Sequence, residues 1–281
     1  MLPTIRIGDH DITRLVIGGN PFSGGSHYSP ELDRAFIDYY SNENMKRALF
    51  ECERCGLNTM QSRGDRHIMR MINEYRNEGG TMQWIAQTAS ELREQPANVR
   101  QIAAAGAIGA YHHGTRTDQL WFDGRIDEVQ DLLKVMREQG LLVGVGTHLF
   151  EVIEYADEHE WDLDFYLACF YRLSDRRREL PLVAGRRHDE HFEDADRERM
   201  VRTIQQTRKP CFGFKILAAG RNCGSPEQVR EAFQYAFASI KPTDAVIVGM
   251  YQEHINQVEM NARLVAEICG EPVTSPAASS P

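Results

Sequence analysis

The sequence predicts a (β/α)8 TIM barrel, and three observations predict it. Short, continuously apolar runs alternate with amphipathic stretches along the chain, as strands buried on both faces and their covering helices should. Eight such strand–helix units fit into about 250 residues, the usual size of that fold. An open doubly wound sheet usually carries G-x-G-x-x-G at its first turn, whereas the first turn here reads GGNPFSGG.

TIRIG and DITRL flank Asp9-His10 and predict an N-terminal β-hairpin. LVIGG (15–19) is the first core strand. NTMQ (58–61), MQWIA (82–86), AIGAYH (107–112), LLVGVGT (141–147), DFYLACF (164–170), PCFGFKI (210–216) and AVIVG (245–249) supply the other seven. Helices are expected near 43–55, 66–78, 91–105, 125–139, 149–159, 194–207, 225–238 and 253–268. Ser225-Pro226-Glu227 gives one of them an N-cap, a first-turn proline and a first-turn acid. Gly56, Gly106 and Gly140 follow three helix ends, where a left-handed cap is needed. Residues 1–270 read as one domain. The tail EPVTSPAASSP (271–281) reads as disordered, and 172–199, dense in Arg, Asp and Glu, as a solvated connection and candidate lid.

Composition excludes several function classes. Of 281 residues 42% are hydrophobic, enough to bury a large core, so extensive disorder is excluded. No apolar run approaches the length of a membrane span. The N-terminal stretch MLPTIRIGDHDITRL carries charges where a signal peptide needs an apolar segment, so a cytoplasmic location is expected. A net charge of −9 disfavours nucleic acid as a partner. A small molecule is the expected partner, and a homo-oligomer is compatible with the sequence. Cys52 and Cys55 form a C-x-x-C inside a predicted helix, with no second pair to complete a zinc site. Buried free thiols are therefore expected.

Catalytic groups of such a barrel sit at the C-terminal strand ends. The first strand delivers Asn20, the second Gln61, Arg63, Asp65 and His67, the third Gln87 and Thr88. The fourth gives His112, His113 and Asp118, the fifth Thr147, His148 and Glu151, the sixth Cys169 and Tyr171. The seventh gives Lys215, followed by Gly220 and Arg221, and the eighth Met250 and Tyr251. So many polar groups at one rim point to chemistry, because burying unpaired charge is costly. Bland roles compete: Asp65 reads first as a helix cap, a use Arg63 does not have, and one of His112 and His113 reads as a hydrogen-bonded core residue. Alternation puts those two on opposite faces without saying which faces inward.

The opening hairpin with LVIGGNPF, then GLNTMQSRGDRH, AIGAYHHG, GVGTHLFEVIEYA and VIVGMYQEHINQVEMN, resembles the aldo-keto reductase family over most of the chain. The resemblance implies a TIM barrel and an NAD(P) cofactor. It places Gln257 and Asn261 where that family contacts adenosine, Tyr171 where an aromatic ring stacks on nicotinamide, and His113 at the active-site histidine. It also places Gln61, Arg66 and Gln87 or Thr88 at the family's catalytic Asp, Tyr and Lys, and Gly146-Thr147 at the Ser-Asn pair that holds the nicotinamide amide. Loss of the Tyr and Lys would remove a general acid worth about 10²–10⁴ in rate.

Three readings follow. The first is an enzyme doing acid–base chemistry of isomerase, epimerase, lyase or hydrolase type on a small sugar-like substrate. His113, His148, Lys215, Asp65 and Arg63 are its catalytic candidates, and Asn20, Gln61, Gln87, Tyr171 and Arg221 its substrate ligands. A divalent metal on His67, His113, His148 and Glu151 is its candidate cofactor, since imidazole with carboxylate suits such ions. The second is an NAD(P)-dependent oxidoreductase using Gly220, Gln257 and Asn261. The third is a non-catalytic binding barrel.

Overall fold

The computed structural model describes residues 2–174, 188 and 190–270. Eight parallel strands close into a barrel: β3 (Leu15–Gly18), β4 (Thr59–Arg63), β5 (Gln83–Gln87), β6 (Gly109–His112), β7 (Leu142–Thr147), β8 (Phe165–Cys169), β9 (Cys211–Phe214) and β10 (Ala245–Gly249). The strands follow chain order around the barrel, and β10 closes it by pairing with β3. β1 (Thr4–Ile7) and β2 (His10–Thr13) form the antiparallel hairpin. Its turn is Gly8-Asp9, one residue earlier than the sequence suggests, because Gly8 takes the left-handed backbone and His10 already pairs with Ile7. Ile5, Ile7 and Ile12 of the hairpin pack with Val16, Ile85, Phe165 and Phe212 inside the barrel. The hairpin thus belongs to the interior core, and each isoleucine contributes about 1.5–3 kcal/mol by leaving water.

The expected helices form α2 (Asn42–Arg54), α3 (Arg66–Asn77), α4 (Gln95–Ala104), α6 (Val129–Glu138), α7 (Phe150–Glu158), α8 (Asp194–Gln206), α9 (Pro226–Ser239) and α10 (Gln257–Ile268). Their apolar faces make a second core against the outside of the strands, including Met45, Leu49, Ile68, Met71, Ile153 and Phe233. Two further helices lie at the mouth: α1 (Pro30–Tyr39), capped by Ser29, and α5 (Gly114–Phe122), which begins directly after His113. All six cysteines are free. Burial raises the Cys52 thiol and pushes Cys55 up to about 11, which keeps both unreactive.

The connection after β8 is corrected at its described ends. Ser174 and Glu190 are buried rather than solvated, and Phe192 packs edge-on to Tyr171. Residues 175–187 and the tail from 271 lie outside the described residues.

Candidate active site

A cavity of about 790 Å³ opens at the C-terminal ends of the strands, within the range of small-molecule sites. Alternation along β6 turns Tyr111 into the barrel, with Ile85, Leu167 and Ile247 in the same interior core. His112 faces the helices, buried, its Nδ1 2.7 Å from Thr117 Oγ1. Burial, helped by Arg116, pulls its pKa down to about 4, so it sits neutral in the core. His113, one residue past the strand, lines the cavity with its Nδ1 2.5 Å from Ser90 Oγ.

The floor is a chain of neutral groups. Gln61 Nε2 donates to Tyr111 Oη at 2.7 Å, and Tyr111 Oη donates to Gln87 Oε1 at 3.0 Å. Burial raises the tyrosine far above the usual phenol range, so its proton stays in place. The ring fits because residue 146 is glycine: a Cβ there would stand 3.0 Å from the Tyr111 ring. Sequence reasoning missed Tyr111 because it weighed only the histidines beside it.

On one wall stands His148, 6% exposed, with its Nδ1 2.7 Å from Oδ2 of Asp118, itself 1% exposed. Asp118 comes from α5 and also accepts from Thr147 Oγ1 at 2.5 Å, Ser174 Oγ at 2.5 Å and the His148 backbone N–H. Four donors hold that carboxylate in place. The carboxylate in turn fixes the imidazole hydrogen on Nδ1, which leaves the basic lone pair on Nε2.

On another wall is Lys215. It lies beyond the end of β9 rather than within the strand, because its left-handed backbone (φ 60°) turns the chain away from the sheet. Its Nζ pairs with Glu190 at 2.6 Å, the two side chains 8% and 1% exposed, and His27 Nδ1 stands 3.4 Å from the same carboxylate. Arg63 is held by Asp65 at 3.0 Å and by Glu91. Asp65 also caps α3 through Ile68 N–H, its expected structural role. Asn20, His67, Gly220 and Gln257 reach the same cavity.

Four expected site residues do not reach it. Glu151 turns to Arg172, which it binds at 2.6 and 2.8 Å. Tyr171 is buried under Phe192, so its ring face is not offered to the cavity. Arg221 donates to the carbonyls of His27, Ala218 and His188, tying loops together. Asn261 is buried within α10. Among the described residues no three His, Cys, Asp or Glu side chains come together to hold a metal ion. Of the expected set, Glu151 is turned to Arg172 away from the cavity, while His67, His113 and His148 line it.

No family model and no curated protein matches the chain. Solved structures do. The chain covers 94% of itself and 91% of an aldo-keto reductase from Bacillus halodurans in its holo form, at 14% identity and a TM-score of 0.61. It covers 99% of itself and 98% of a glycerol dehydrogenase from Gluconobacter oxydans, at 12% identity and a TM-score of 0.53. A truncated 3-deoxy-D-arabino-heptulosonate 7-phosphate synthase from Thermotoga maritima matches at 14% identity and a TM-score of 0.55, over 95% of this chain and 91% of that one. What these likenesses establish is architecture: the chain has the TIM barrel that aldo-keto reductases have.

Proposed function

We propose that the protein is an acid–base enzyme of isomerase, epimerase or lyase type acting on a small, sugar-like substrate. The observation that carries this reading is the His148–Asp118 pair in the wall of the cavity. An imidazole whose Nδ1–H is held by a buried carboxylate is a base at Nε2, and the carboxylate stabilises the imidazolium once a proton is taken. In this reading His148 removes a proton from a carbon beside a carbonyl. The floor amides hold the substrate oxygens, and Lys215 stabilises the enolate that develops. No step runs through a metal.

The test is solvent exchange. Small hydroxyaldehydes, hydroxyketones and pentoses are incubated with the protein in D2O, and loss of C–H signal is followed by NMR. Exchange with at least one compound, abolished in His148→Gln, is expected. Exchange that survives in His148→Gln, or none across the panel, overturns the reading.

A second reading, an NAD(P)-dependent oxidoreductase, is favoured by one observation: Gly220 and Gln257 line the same cavity. Gln257 already accepts from Tyr251 N–H at 2.8 Å, so it holds the turn after β10 as well. Fluorescence titration with NADPH decides it: quenching or enhancement that saturates below millimolar supports this reading, and a flat titration removes it.

A further inference from the structure

The geometry points to a specificity device in the barrel floor: Gln61, Tyr111 and Gln87 together read an α-hydroxycarbonyl, a C=O beside a C–OH. This rests on the acid–base reading above and names the substrate class of that same site.

The argument is one of counting hydrogens. Tyr111 has a single hydroxyl hydrogen, and its oxygen is bonded to both glutamines, at 2.7 and 3.0 Å. The glutamine that receives the hydrogen must present its carbonyl to the phenol, so its NH2 is left over. The other must present its NH2, so its carbonyl is left over. Neither side chain makes another hydrogen bond among the described residues, and both line the cavity. Rotating the phenol hydrogen and flipping both amides exchanges the two roles. In either state one glutamine turns its NH2 away from the phenol and the other its carbonyl.

That pairing is the complement of a carbonyl oxygen next to a hydroxyl. The carbonyl accepts from the NH2, and the hydroxyl donates to the amide oxygen. Two adjacent acceptors would leave an amide oxygen facing another oxygen, the expensive case of an unmade bond. The device also suits both ends of an isomerisation. One hydrogen moves from the hydroxyl-bearing carbon to the carbonyl carbon, and the hydroxyl proton moves to the old carbonyl oxygen. Atoms and electrons balance with no co-reactant. Carbonyl and hydroxyl then trade places, and the floor follows by turning one O–H and two amides, with no change of charge. The high phenol pKa is consistent with a hydrogen that rotates but is not given up.

Ligand-observed NMR tests this with hydroxyacetone and methoxyacetone, which differ in whether the second oxygen can donate. Binding is measured in the wild type and in His148→Gln, which cannot convert the probe. Both proteins should prefer hydroxyacetone by about tenfold, the worth of one hydrogen bond. Tyr111→Phe should bring hydroxyacetone down to the level of methoxyacetone. Gln87→Glu, which replaces the donor with an acceptor, should weaken hydroxyacetone about tenfold or more. Equal binding of the two probes, no binding of either, or a preference that persists in folded Tyr111→Phe and Gln87→Glu overturns the inference. Because His148→Gln retains the floor, preference without deuterium exchange in the wild type would sink the acid–base reading alone.

Discussion

His148 Nδ1 lies 2.7 Å from Asp118 Oδ2, and this bond ties two βα units whose partners are 30 residues apart in sequence. Asp118 is saturated by the Thr147, Ser174 and His148 donors. An amide in its place would have to turn its NH2 toward one of those donors or toward the imidazole. Asp118→Asn should therefore lower the deuterium-exchange rate by about 10²–10⁴ while the far-UV spectrum is unchanged. An exchange rate within a factor of three of the wild type would show that the pair serves stability only.

The Lys215–Glu190 pair is buried on both sides, which sets the sign of a second prediction. Removing one partner strands the other charge out of water, a cost of about 3–5 kcal/mol, whereas replacing both by neutral groups avoids that penalty. Lys215→Met and Glu190→Gln should each destabilise strongly in urea, and the double variant should be more stable than the sum of the two losses implies. Strictly additive losses would mean that the two charges do not depend on each other.

The fold was legible because eight buried strands leave eight apolar runs with helical stretches between them. Helix α1 escaped although Ser29-Pro30-Glu31 repeats the start signal read correctly at Ser225-Pro226-Glu227. It is an extra helix between β3 and α2, and counting one helix per strand hides it. Helix α5 escaped because it starts with Gly114, a residue that normally ends helices. At the mouth, position on a strand end places His148, Gln61, Gln87 and Lys215, and all four line the cavity. It could not find what holds them. Asp118 was placed at the rim but not paired with His148, and Glu190 lies in a stretch whose charge reads as solvated. Pairing across units is set by three-dimensional closure, which leaves no periodic trace in the chain. Alternation on β6 puts Tyr111 on the face opposite His112, but which face is the interior is set by barrel closure.

Gly146 is where barrel packing and the candidate chemistry meet. A Cβ on residue 146 would lie 3.0 and 3.1 Å from two Tyr111 ring carbons and 3.2 Å from the Gly114 backbone nitrogen. The backbone cannot yield easily, so the ring must shift, and the phenol loses its reach to one glutamine. Gly146→Ala should cost about 1–3 kcal/mol in stability and weaken hydroxyacetone binding as Tyr111→Phe does. Full binding alongside reduced stability would place the floor's order elsewhere than in this contact.

His112 predicts how the fold responds to acid. Burial pulls its pKa down to about 4 in the folded protein, while the unfolded chain titrates near about 6.5. As pH falls below that unfolded value, the unfolded state takes up a proton that the folded state refuses, so stability drops. The loss continues until pH reaches about 4, where the folded protein also protonates and the contribution levels off. Over that window the single group is worth about 3 kcal/mol. His112→Asn keeps a donor within reach of Thr117 and removes the titration. Its urea midpoint should therefore fall much less than that of the wild type between pH 7 and pH 4.5. The same fall in both proteins would assign the acid sensitivity to other groups.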